Sequence, residues 1–356
     1  MSQRRQPLIP QKVMKKLTAK FKKAQPPEEK SSRITNETVA EHREQILAGG
    51  RKFKYPVQYA KHKLVLNSLL IAFGAIVLLF VLCWYLLYFA QVNTKFMYRL
   101  TQLVPVPVAN VDGEDVRYSE YLKKYRSDIF SLVQQEQINL KSADGKRQSE
   151  YYKRRELDAA IKEAYATKLA RDLKITVTRA EVDDFITKTV NSKSISLEAY
   201  EKTVLRNFYD WSLDEYRGVV KARLITQKVS FAIDKAALAR AKSLAEQAKG
   251  GADFAKLAAE NSDDLATKGN GGDVGGLPLD NQDPNRLIVA AQKLEKGQVS
   301  DPIQGSDGYY VIKLIEKSDT AVHYAQIKVN LTEFDKRFEA VKNDKKIKEH
   351  IKVEQL

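Results

Sequence analysis

Between Leu64 and Ala90 the chain reads LVLNSLLIAFGAIVLLFVLCWYLLYFA, almost unbroken apolar residues, and no charged residue occurs from Leu64 to Thr94. As a helix this stretch rises roughly 40 Å, against about 30 Å of bilayer hydrocarbon, which predicts one transmembrane helix with some tilt or an interfacial end. Downstream the pattern becomes amphipathic. Val104–Val111 predicts a strand ending in an Asp112-Gly113 turn. Leu122, Tyr125, Ile129 and Leu132 fall on one helical face, and Leu157, Ala160, Ile161, Ala164 and Leu169 on another. Thr178 with Glu181 three residues on predicts a capping box, and Ser196–Ile233 reads as two more helices. From Lys235 the elements shorten. Leu238, Ala241, Leu244, Ala245 and Ala248 line a helix over Lys235–Lys249, stopped by Gly250-Gly251. A second helix carries Phe254, Leu257 and Ala258. The glycine-rich run Gly269–Gly276 predicts tight turns, a third helix covers Pro284–Leu294, and Tyr309–Ile315 is a strand by composition.

Charge gives this pattern a direction. Residues 1–63 hold sixteen Lys and Arg against five acidic residues. Met1–Lys30 is polar and reads as disordered, and Asn36–Leu47 as a short helix stopped by Gly49-Gly50. Lys52, Lys54, Lys61 and Lys63 flank one end of the apolar stretch, and Trp84, Tyr85 and Tyr88 gather at the other. The positive-inside rule then places the N-terminus in the cytoplasm and everything after the span outside it. The long basic tail and the missing small-x-small site argue against a cleaved signal peptide, leaving a signal anchor over 64–90. The basic tail suits anionic lipid; a nucleic-acid or ribosome contact is the competing reading and is not expected. Cys83, the single cysteine, excludes an internal disulfide and reads as an apolar filler. The four histidines, at 42, 62, 323 and 350, show no metal-ligand spacing, so no metal or other cofactor is expected.

The blocks ADFAKLA (252–258), NSDD (261–264), GGDVGG (271–276), AAQKLEKGQVSDPI (290–303) and DGYYVIKL (307–314) occur in an order that closely resembles the parvulin family of peptidyl-prolyl isomerases. More loosely, VANVDGEDVRYSEYLKKY (108–125) resembles the entry to the helical module of extracytoplasmic foldases of the SurA and PrsA type. Pattern and resemblance together predict an α+β chain: a basic tail (1–63) and a transmembrane anchor (64–90) from charge and hydropathy, then, as the resemblance implies, a helical SurA-N-like chaperone domain (103–233) and a parvulin-like domain with a small antiparallel sheet (234–332), and a C-terminal helix (333–356). It departs from the family where a histidine-bearing first strand belongs. Lys228–Ile233 either holds that place without the histidine or extends the preceding helix. Ala321–Val329 (AVHYAQIKV) is a better copy. Paired antiparallel with Tyr309–Ile315, it would supply the missing strand from the C-terminal side; the alternative is an edge hairpin of unrelated purpose.

The chemistry implied is rotation about an X-Pro amide, whose barrier of about 18–20 kcal/mol calls for no covalent catalyst. An apolar cup holds the proline ring, excludes water and favours the twisted amide. Carried over by position, the resemblance implies Asp264, Tyr310 and Gln326 as catalytic residues, with His323 replacing Gln326 if the register slips. Val274, Leu287, Asp283 and Asp307 become substrate-binding positions. Each has a plainer reading: Asp264 as a turn cap, Tyr310 as sheet core, Val274 and Leu287 as ordinary packing. With the usual imidazoles missing and an acid at Asp283, two functions stay open. One is a foldase isomerising X-Pro bonds in exported, unfolded polypeptides; the other is a chaperone that only binds them.

Overall fold

The computed structural model describes residues 35–54 and 56–354; the segment Met1–Lys30 lies outside them. Two compact units are present, 1–78 and 79–356. Helix α1 (Asn36–Lys54) belongs to the first. It runs on through Gly49 and Gly50, which were expected to stop it; each glycine costs a helix only about 1 kcal/mol. Helix α2 (Pro56–Tyr88) begins in the first unit and ends in the second. Its stretch Lys63–Tyr88 is long and apolar enough to cross a membrane, and its most apolar part is not buried against protein.

The second unit opens with α3 (Lys95–Leu103), capped by the Thr94 hydroxyl. Strands β1 (Pro107–Val111) and β2 (Glu114–Arg117) form a hairpin. Asp112 and Gly113 both take positive φ, 48° and 86°, as a two-residue type I′ turn requires. Helices α4 (Tyr118–Gln134) and α5 (Ala143–Asp172) cover this sheet with Tyr118, Tyr121, Leu122, Leu157 and Ile161 in the core. Helix α6 (Arg179–Asn191) carries the expected Thr178–Glu181 capping box. After it come α7 (Leu197–Ala199), a π-helical stretch Tyr200–Arg206, α8 (Asn207–Tyr209) and α9 (Leu213–Ile233). Lys228–Ile233 thus extends the preceding helix and is no strand. Val182, Ile186, Val190, Tyr200, Leu205 and Val220 make a separate small core here.

The next elements are α10 (Lys235–Lys249), α11 (Phe254–Asn261), α12 (Leu265–Lys268), β3 (Asp273–Pro278), α13 (Leu287–Gln292), β4 (Ile303–Gln304), β5 (Gly308–Lys317) and β6 (Ala321–Asn330). Helices α10 and α11 and strands β5 and β6 fall where expected; part of the glycine-rich run is strand β3 rather than turns only, α13 is shorter than the expected 284–294, and α12 and β4 were not expected. The sheet order is β3-β6-β5-β4 with antiparallel neighbours throughout. Strand β6 is therefore central, not an edge. Strand alternation sorts its residues onto two faces. Ala325, Ile327 and Val329 join Val311 and Tyr309 under α10 and α11, while Val322 and Tyr324 join Ile312, Leu314 and Leu287 on the other side.

The C-terminal segment departs from the expectation of one helix. Helix α14 (Glu333–Asn343) ends in a Schellman turn: Lys345 is left-handed (φ 55°), its amide donates to the Lys342 carbonyl and that of Lys346 to Val341. Strand β7 (Ile347–Glu349) then adds to β1, giving the order β2-β1-β7. Ile347 and Ile351 misled because a spacing of four fits a helical face and a strand's alternation equally. The end of the chain thus completes the sheet packed by α4 and α5.

One partly buried carboxylate in that part carries a pH prediction. Asp128 on α4 bonds Arg155 at 2.9 Å, yet its Oδ2 is buried without a partner. Burial, reinforced by the neighbouring Glu156 carboxylate, pushes the Asp128 carboxyl up to about 7. A carboxyl raised on folding binds its proton more tightly in the native state, so stability falls as pH climbs from about 4 to 7. Asp128→Asn is expected to flatten that dependence and stabilise the fold at pH 8 by on the order of 1 kcal/mol. Denaturant melts at pH 5 and pH 8 check this; an unchanged slope would refute it.

Candidate active site

The site forms where the NSDD run is stitched to β6. Ser262 is fully buried, and its hydroxyl accepts from the amides of Lys328 (3.1 Å) and Asp264 (3.2 Å). The Asp263 amide donates to the Lys328 carbonyl (2.8 Å), and the Asp263 carboxylate takes the Asn330 amide (2.9 Å) and Arg240 (3.0 Å). Asp263 is thereby a structural clamp. Asp264 next to it faces Gln326, whose Nε2 donates at 2.6 Å, and also accepts from the Thr267 hydroxyl (2.7 Å) and the Ala266 amide (3.1 Å). Burial alone would raise this carboxyl; the three hydrogen bonds outweigh it and hold Asp264 below the usual aspartate range. Because a carboxylate only accepts, Gln326 must present its amide nitrogen there, which frees its carbonyl oxygen for another donor.

The glycine-rich run brings β3 against β6 from the other side. Gly272 sits at φ 82°, and a Cβ there would lie 2.3 Å from the Gln326 carbonyl oxygen. The Gln326 amide donates to the Gly272 carbonyl (2.8 Å), so glycine at this point sets the position of Gln326.

Register supplies the rest. Lys328 on β6 is cross-strand partner to Tyr310 on β5, and Gln326 to Ile312, so Gln326 and Lys328 project on the Tyr310 face. The Tyr310 hydroxyl donates to Asp307 (2.8 Å) and accepts from the Asn285 amide (3.2 Å). The other Asp307 oxygen accepts from Lys328 Nζ (2.6 Å), whose ammonium stands 5.8 Å from the Tyr310 ring centroid. Burial first, then the Asp307 hydrogen bond, pushes the Tyr310 phenol well above its ordinary range. Burial opposes ionisation of Asp307, but Lys328 and Tyr310 outweigh it and hold its carboxyl low. The result is a polar end, Asp264, Gln326, Lys328, Asp307 and Tyr310, abutting an apolar end with Val274, Leu287, Ile312 and Leu314.

Two expected positions fall elsewhere. Asp283 accepts the Ile288 amide (2.6 Å) at the start of α13, which accounts for an acid so near an apolar core. His323 lies on the opposite face of β6 from Gln326 by alternation and bonds Asp273 (2.6 Å), so no register slip brings it to Asp264. Lys328, Asn285, Thr267 and Ser262 were not anticipated. For Lys328 the signal was available, since a residue two beyond Gln326 in a strand must share its face.

The family model of the PPIC-type PPIASE domain matches residues 224–316, and that of the SurA-like N-terminal domain matches 61–230. The central strand β6 lies beyond the first of these. The Foldase protein PrsA of Caldanaerobacter subterraneus subsp. tengcongensis is 30% identical over 235 residues, covering 58% of this chain and 72% of the relative. Foldase protein PrsA 2 of Bacillus anthracis is 42% identical over 79 residues, covering 22% of this chain and 27% of the relative. The crystal structure of PrsA from Bacillus subtilis shares 22% identity, covering 52% of this chain and 73% of that one, at a TM-score of 0.21 that carries no weight here. With an isomerase-type sheet, a SurA-like helical part and a relative matched over most of its length, the chain belongs to the PrsA family of foldases.

Proposed function

We propose that this chain is a foldase held in a membrane by α2, with its C-terminal units outside the cytoplasm, where it isomerises X-Pro bonds of unfolded, exported polypeptides. The observation that carries the reading is the polar cluster of Asp264, Gln326 and Tyr310 set at the edge of an apolar sheet face. Such an arrangement suits amide rotation. The apolar side, with Val274 and Leu287, receives the proline ring and excludes water. The free Gln326 carbonyl accepts a peptide N–H, and Asp264 holds that carboxamide in place as a positioning residue. Asp307 accepts from the Tyr310 hydroxyl and from one N–H of Lys328, and the remaining N–H groups of the Lys328 ammonium supply donors for the lone pair that a twisting amide develops on nitrogen. Orientation follows from the lysines at 52, 54, 61 and 63, on the N-terminal side of the span.

A second reading is a chaperone that binds without catalysis, favoured by the absence, among the described residues, of an imidazole beside Asp264 and by the burial of Leu287 and Tyr310. Refolding of a client with a proline-limited slow phase separates the two, with the full chain in non-ionic detergent. An isomerase shortens the slow phase; a pure chaperone lowers light scattering and leaves that phase alone. A folded chain that does neither refutes both.

A further inference from the structure

The outer end of α2 does not leave the second unit on a loose linker. Leu87 is 4% exposed and belongs to the same core as Met97, Tyr98, Val108 and Tyr118. The Tyr88 hydroxyl donates to the Pro107 carbonyl (2.6 Å), and the Tyr118 hydroxyl to the Leu87 carbonyl (2.5 Å). Trp84, less than one turn before Leu87, is 55% exposed, and Phe89 is 64% exposed. If Trp84 marks the bilayer interface, as indoles at span ends do, the folded surface around Tyr88 starts within one helical turn, about 5 Å, of the headgroups.

Residues 350–352 are fixed beside this aromatic collar. Ile351 is 3% exposed in the core, the His350 amide donates to the Val108 carbonyl (2.9 Å), and Gln91 Nε2 donates to the Lys352 carbonyl (2.7 Å). The exposed side chains of His350 and Lys352, flanking buried Ile351, therefore join Trp84, Tyr88, Phe89 and Pro107 around a cleft of about 530 Å³. Among the described residues no carboxylate lines it; Glu150 and Glu354 line a neighbouring cleft that Lys352 also borders, where Glu150 is paired with Lys153 (2.6 Å). Neither His350 nor Lys352 makes an ion pair among the described residues. A tail needed only to close the core would require Ile351 alone.

We propose that this cleft binds the phosphate headgroup of an anionic phospholipid, with the aromatic residues against its glycerol and upper acyl carbons and Lys352 and His350 on the phosphate. The proposal rests on α2 crossing a membrane. It makes the bound lipid a wedge between the span and the C-terminal tail, fixing how the foldase stands on the bilayer.

The test uses the full chain, carried into native mass spectrometry from phosphatidylcholine micelles doped with phosphatidylglycerol. One phosphatidylglycerol is expected to stay bound. The double variant His350→Ala, Lys352→Ala should lower its retention about fivefold, the effect of roughly one basic residue beside a lipid surface. Lys345→Ala with Lys348→Ala, exposed and outside the cleft, should leave retention unchanged. Thermal melts check that each variant is folded. Equal retention of phosphatidylcholine, or an equal loss in both double variants, overturns the site. Flotation with phosphatidylcholine vesicles distinguishes the deeper failure: a chain that stays at the bottom of the gradient has no membrane span, and the cleft proposal goes with it.

Discussion

A fragment of residues 231–317 is expected to remain unfolded, whereas 231–334 gives a cooperative thermal melt and dispersed amide resonances. The first contains most of the stretch that matches the isomerase domain, residues 224–316, but lacks β6. Without it β3 loses its partner and β5 loses one entire edge. Val322, Tyr324, Ile327 and Val329, each 4% exposed or less, vanish from the two cores that sandwich the sheet. Burying a side chain of this size stabilises by about 1.5–3 kcal/mol, so four of them together match the whole net stability of a small domain. Ser262 and Asp263 would also lose the backbone groups of Lys328 and Asn330. If the shorter fragment folds as well as the longer one, β6 is an accessory hairpin and Gln326 has no place in the site.

Asp234→Ala is expected to destabilise the second unit by about 3 kcal/mol, the sum of three lost charge-assisted hydrogen bonds to amides at the starts of two helices. Asp234 is 2% exposed. One carboxylate oxygen accepts from the Ala237 amide (2.8 Å) at the start of α10. The other accepts from Thr332 (2.7 Å) and Glu333 (3.0 Å) at the start of α14. The chain passes from α9 into the isomerase part and returns from it at this one residue. Burial opposes the charge, but the three amides outweigh it and depress the Asp234 carboxyl below its ordinary value. The stability it contributes is therefore present above the unfolded aspartate range and lost as pH falls through the lower, folded value. Urea melts of Asp234→Ala and Asp234→Asn at pH 7 measure the effect; a change under 1 kcal/mol would show that water replaces the cap without cost.

Much of this fold was legible because period and punctuation agreed. The helix over Lys235–Lys249 carries a clear apolar face that ends at a glycine pair, and it folds with those bounds. Likewise the Thr178–Glu181 box and the Asp112-Gly113 turn are local chemistry that tertiary contacts do not override. The C-terminal tail was not legible, because its partner β1 lies more than 230 residues earlier and isoleucines four apart fit either period. At the site, Asp264 and Tyr310 came from matching spaced blocks, and Gln326 from reading Ala321–Val329 as the displaced first strand. That Lys328 shares the Gln326 face was legible from their spacing, but its pairing with Asp307 beside Tyr310 came only with the β5–β6 register, which no local pattern fixes.

The central claim, that the Asp264–Gln326–Tyr310 face turns prolyl amides, is tested most directly by exchange NMR of an Ala-Pro peptide series mixed with the full chain in detergent. The account predicts cis–trans exchange accelerated by the native chain and slowed at least about tenfold, or 1.4 kcal/mol, in Gln326→Ala, with the melting curve of that variant unchanged within about 0.5 kcal/mol. Acceleration that survives Gln326→Ala and Tyr310→Phe together would contradict it, as would a folded native chain that leaves the exchange rate of every peptide where it was.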